Sequence, residues 1–140
     1  MFLKSKKKIF IFEVILICFL SIKLLGNDKN AYELLKNCNN YYNWTIKNYK
    51  VPVDDKQLFN MGKCQGTIET IGRMMLTLCY ETKRNMNINH KMTANLEGIR
   101  TIEIVKKLVE HASSDGNLRK FSSHSYLINF ISTNWPCKKV

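Results

Sequence analysis

The hydrophobic positions of this chain recur at intervals of three and four residues, the spacing of one face of an α-helix. Four stretches carry that pattern. In the first, NDKNAYELLKNCNNYYNW, residues Ala31, Leu34, Leu35, Cys38, Tyr41 and Tyr42 fall on one stripe. Asp28 or Asn30 is placed to cap it, and Glu33 stands three residues after Asn30, as a capping box requires. The second, Lys56 to Cys79, carries Leu58, Met61, Cys64, Ile68, Ile71, Met75 and Leu78, with Asp54 or Asp55 as its cap. The third, Met92 to Ala112, carries Leu96, Ile99, Ile102, Val105, Leu108, Val109 and Ala112. The fourth, Ser123 to Asn134, presents Tyr126, Leu127, Phe130 and Ile131, and ends before Pro136, which forbids a further turn. No useful stretch alternates with period two, so the expected fold is all-α, a bundle of about four helices.

The interruptions are as informative as the stripes. Gly62, Gly66 and Gly72 fall inside the second periodic run. Each costs a helix interior about 1 kcal/mol relative to alanine, and three of them predict a second backbone packed closely on that face. YETKRNMNINHK is polar and without period, and reads as a connection. SSDGN closes the third helix, with Gly116 free to turn left-handed. Met74, Met75, Phe130 and Trp135 are expected in the core.

Charge divides the chain unevenly. It has 140 residues and a net charge of +11, but MFLKSKKK followed by IFIFEVILICFLSI sets the first 26 residues apart. A basic stretch before a short apolar one is the pattern of an export signal. The cleaner run, Val14 to Ile22, is far shorter than the roughly 20 residues of a membrane span. Residues 1–26 are therefore expected to be a signal peptide cleaved near Gly26, with an uncleaved anchor as the alternative. The domain would be 27–140, with seventeen basic and ten acidic residues and a net charge of +7. It has no basic block or nucleic-acid motif, so nucleic acid is not an expected partner. Nor is a membrane, once the signal is removed. An acidic protein would be drawn to such a surface.

Removing the leader also takes Cys18 and leaves Cys38, Cys64, Cys79 and Cys137, an even number in an exported chain. No C-x-x-C pair favours zinc, and an exported chain meets an oxidising compartment. Two disulfides are favoured over free thiols or a metal site. If the second helix is continuous, Cys64 and Cys79 lie about 22 Å apart along it. A bridge needs Cα atoms within about 7 Å, which rules that pairing out. In an antiparallel hairpin of the first two helices, Cys38 and Cys64 each stand about seven residues from the connection. They would be level. A third helix running back and a fourth returning would then bring Cys137 to Cys79. The expected bridges are Cys38–Cys64 and Cys79–Cys137.

Catalytic candidates are sparse. His90, His111 and His124 are scattered, without the H-E-x-x-H spacing of a metalloprotease. The serines around His124 are better explained as a helix start than as a nucleophile and base. Asp54-Asp55 needs only a capping role. No enzyme activity, metal or cofactor is expected.

Taken in order, ELLKNC, CQGTIETIG, LTLCY and a terminal WPC, behind an export signal, resemble the Tai/Rap-type immunity proteins. These protect bacteria against type VI secretion effectors that cut peptidoglycan. The likeness spans about residues 30–138. Two departures are Tyr80-Glu81, where the family often has a proline, and Thr67, where it often has an aromatic. The resemblance implies a periplasmic helical domain, often a homodimer, that binds and blocks a cognate amidase-type effector. No invariant contact carries over, so the expected contacts rest on the polar loops Glu81 to Asn89 and Ser113 to Ser123. They are Lys83, Arg84, Arg119 and Lys120, with Phe121 as an anchor. A small periplasmic helical chaperone or stress protein is the alternative expectation.

Overall fold

A computed structural model describes residues 30–138 apart from 48, 51, 85–87, 113, 114 and 117. The expected signal segment 1–26 lies outside the described residues. Asn30 opens α1 (Ala31–Ile46) with extended backbone, its side chain accepting the Glu33 N–H at 3.1 Å. Asp54 opens α2 (Asp55–Lys83) with a full capping box: its carboxylate accepts from the Gln57 N–H at 2.7 Å, and the Gln57 side chain accepts from the Asp54 N–H at 3.1 Å. Each side-chain oxygen satisfies a backbone donor that the first turn leaves without a helical partner. α2 continues past Cys79, so the connection expected from Tyr80 begins only after Lys83.

The third periodic run is helical only in part. α3 is Thr101–Ala112. Before it, a short 3₁₀ turn at His90–Met92 leads into a non-helical segment that lies across α2 and the chain end. There the Ala94 N–H donates to the Met75 carbonyl at 3.2 Å, and the Asn95 N–H to the Trp135 carbonyl at 2.9 Å. Gly98 takes φ +75°, which ends any helical path. Leu96 and Ile99 matched a helical stripe because they are apolar and face the protein, not because their backbone is helical. After a second 3₁₀ turn, Leu118–Lys120, Ser122 caps α4 (Ser123–Asn134) by accepting the Ser125 N–H.

Among the described residues, four helices bury a main core centred on Leu34, Ile68, Met75, Leu108, Leu127 and Ile131, with a smaller cluster of Ala31, Ala112 and Leu118. Cys38–Cys64 joins α1 to α2 with a Cα separation of 5.0 Å, and Cys79–Cys137 staples the chain end to α2 at 5.6 Å. Both expected pairings are present. The protein is all-α and disulfide-stapled, and its two bridges indicate an oxidising, exported environment. Among the described residues, no helix is long and apolar enough to cross a membrane. Trp135 packs edge-on to Phe130 at 6.1 Å, with the Lys107 ammonium 5.1 Å above its ring. Met75 and Phe130 are core as expected, but Met74 and Leu58 are exposed. Both lie beside the buried stripe of α2 rather than on it, at the edge where one residue of rotation decides exposure.

The glycines of α2 do not mark a close backbone approach. Gly62 and Gly66 have open space where a Cβ would stand, and at Gly72 that Cβ would meet only the Leu96 Cδ1 at 3.1 Å. Gly62→Ala and Gly66→Ala are therefore expected to stabilise the protein, each by about 1 kcal/mol. Chemical denaturation of each variant checks this, and a loss of stability at either site would reveal a close contact.

Candidate partner-binding surface

The residues expected to make contact fall at two places. Lys83 ends α2, its ammonium 5.9 Å from the Tyr80 ring, and Arg84 caps the helix while pairing with Glu81 at 3.4 Å. Residues 85–87 lie outside the described residues. Arg119, Lys120 and Phe121 form the other group, between α3 and α4. The Cys38–Cys64 bridge sets the registry of α1 and α2. At 1.5 Å per residue, Lys83 lies about 28 Å past that bridge, whereas Ala31 lies about 10 Å past it. Arg119 to Phe121 sit beside Ala31, so the two groups are not neighbours.

The second group is firmly held. The Phe121 carbonyl accepts the Ala31 N–H at 3.0 Å, tying this turn to the start of α1. The Arg119 guanidinium lies over the Tyr32 ring at 4.4 Å, a cation–π contact on an exposed surface. Phe121, half exposed, approaches Tyr126 at 6.4 Å between ring centroids. Behind it runs a groove of about 490 Å³ between the end of α3 and α4, lined by His111, Asp115, Phe121, Tyr126, Asn129 and Phe130. His111 leans on Phe130 at 5.5 Å. Tyr32, His111 and Tyr126 were not singled out as contacts from sequence. Tyr126 lay on a predicted core stripe, and nothing in the spacing tells a groove wall from a core wall.

Burial, and after it the nearby Asp115 carboxylate, raises the Tyr126 pKa above the tyrosine value of 10.0. The folded protein thus holds this proton more tightly than the unfolded chain does. The associated stability is complete below pH about 10 and is lost as pH rises through the folded-state pKa. Tyr126→Phe is expected to flatten the alkaline part of the stability curve. Tyr41, whose pKa burial also raises, keeps some slope. Urea titrations at pH 9 and pH 11 check this, and equal alkaline loss in the variant would be the contrary result.

The histidines lie on three separate elements, in the His90–Met92 turn, α3 and α4. Ser123 Oγ and His124 Nδ1 are 3.5 Å apart as chain neighbours, while Ser122 and Ser125 serve the start of α4. Among the described residues, no group of three or more His, Cys, Asp or Glu side chains is placed to hold a metal ion. This surface carries a half-exposed aromatic and two cations beside a groove. No protein-family model, curated protein or solved structure matches the chain.

Proposed function

We propose that the chain is a periplasmic immunity protein that binds and inhibits a peptidoglycan-degrading, amidase-type effector of type VI secretion, protecting the cell and its sisters. The observation that carries this reading is the Arg119–Lys120–Phe121 turn. It presents an aromatic anchor and two cations on a backbone held by α1, next to an open groove. Interfaces concentrate their energy in aromatic and arginine side chains held in place before binding. The ordered motifs ELLKNC, CQGTIETIG, LTLCY and WPC, with their four cysteines joined in two bridges, support the family resemblance.

The test is co-expression. The product of the adjacent gene is exported to the periplasm of a test bacterium, with and without this protein, and lysis is followed. Lysis abolished by residues 27–140 is the expected result. Lysis unaffected by co-expression would remove the reading. A small periplasmic chaperone has the exposed apolar side chains Ile46, Tyr49, Leu58 and Phe59 in its favour. It would show itself by keeping an unfolding client soluble, most of all at low pH.

A further inference from the structure

We propose that the α1–α2 end of the molecule docks peripherally on an anionic lipid surface. Four large apolar side chains protrude there, Ile46 at 54% exposure, Tyr49 at 60%, Leu58 at 52% and Phe59 at 64%. Ile46 is the last residue of α1, Tyr49 lies in the connection, and Leu58 and Phe59 lie at the start of α2, so the topology gathers them at one end. Tyr49 is fixed in place. Its backbone sits at φ +62°, its N–H donates to the Trp44 carbonyl at 3.2 Å, and its ring meets Trp44 edge-on at 4.5 Å. A residue other than glycine holds a positive φ only where its surroundings impose it.

The charges at this end select the occupant. Lys47, Lys50 and Lys56 are exposed, and the Lys63 ammonium lies 5.1 Å over the Phe59 ring. Against these four cations stand Asp54, with a carboxylate oxygen taken by the Gln57 N–H, and Asp55, in the first turn of α2. The cleft between the two helix ends, walled by Trp44, Lys47, Pro52 and Gln57, measures only about 120 Å³. A protein partner would have to bring a pocket of its own to this protruding end. A bilayer needs none: apolar and aromatic side chains enter the headgroup region while lysines meet anionic lipid. No membrane contact of the domain was expected from sequence, because these residues converge only in the fold. Docking here would leave the Arg119–Phe121 turn facing away, since α1 carries the two surfaces at opposite ends, about 24 Å apart.

The test uses the disulfide-bonded protein recovered after export, in flotation with vesicles of phosphatidylglycerol and phosphatidylcholine or of phosphatidylcholine alone. Binding to the anionic vesicles only, weakening with salt, is expected. Phe59→Ser with Tyr49→Ser should weaken it at least tenfold, and Lys47→Gln with Lys50→Gln about fivefold for each charge removed. All four positions are exposed, and circular dichroism would confirm that the variants remain folded. Binding that survives these substitutions, or no binding at all, would overturn the proposal. So would self-association that Phe59→Ser abolishes, seen in sedimentation without vesicle binding, which would assign this end to a second copy.

Discussion

Replacing Cys79 and Cys137 together by alanine is expected to lower the unfolding free energy by about 4 kcal/mol, and replacing Cys38 and Cys64 by about 3.5 kcal/mol. The bridges close loops with sequence separations of 58 and 26 residues, and loop-closure entropy in the unfolded chain gives these magnitudes. For a domain of this size either loss is a large fraction of the total stability. The bridges should also differ in how they yield to reductant. Cys38 and Cys64 are wholly buried, so that bridge is reached only through unfolding, whereas Cys137 is only partly buried. Mild reduction followed by thiol alkylation and mass spectrometry should label Cys137 before Cys38. Thermal melts of the two paired variants measure the stability losses. Simultaneous labelling of all four thiols, or a loss below about 1 kcal/mol for either pair, would contradict this account.

If the proposed immunity function holds, Phe121→Ala is expected to weaken binding of the toxic partner by about thirtyfold or more, corresponding to a hot-spot loss of about 2 kcal/mol. The ring is half exposed, and its backbone is fixed to α1 through the Ala31 N–H at 3.0 Å. Little ordering entropy therefore remains to be lost on binding. Arg119→Ala should act in the same direction, because the guanidinium is already oriented over Tyr32. Lys83→Ala and Arg84→Ala should behave differently. Arg84 has a side-chain exposure of 76%, and both cations sit at the far end of α2. Charges in such positions govern association rate and its salt dependence more than affinity. Calorimetry with the partner, combined with stopped-flow association at two salt concentrations, separates the two effects. Equal and small losses at all four positions would place the contact elsewhere.

The helix starts were legible where a polar side chain caps a periodic run: Asn30, Asp54 and Ser122 satisfy backbone donors that every helix leaves open. The bridges were legible because the length of α2 sets distances no disulfide can span. The segment before α3 was misread because hydrophobic spacing reports which residues are buried, and an extended strap over α2 also buries Leu96. Asn95 and Gly98 were the signals available there, and Gly98 does turn at positive φ. The Arg119–Phe121 turn was marked as a contact from its charge and its aromatic. Its groove was not visible, because it arises where the end of α3 meets α4, and local sequence does not encode that meeting. The apolar end was hidden for a similar reason: Ile46, Tyr49, Leu58 and Phe59 belong to α1, the connection and α2, and come to one end only in the fold.

The pairing of cysteines has a consequence for how the chain matures. Among Cys38, Cys64, Cys79 and Cys137, each bridge joins neighbours in order, the first to the second and the third to the fourth. A chain crossing a membrane from its N-terminus presents Cys38 and Cys64 while Cys137 is still behind the barrier. An oxidant that joins thiols as they emerge therefore makes the first native bridge before a wrong partner arrives. Cys79 then waits 58 residues for the last cysteine, which can meet only it. With bridges in this order, oxidation during emergence is expected to need less reshuffling than oxidation of the whole reduced chain at once.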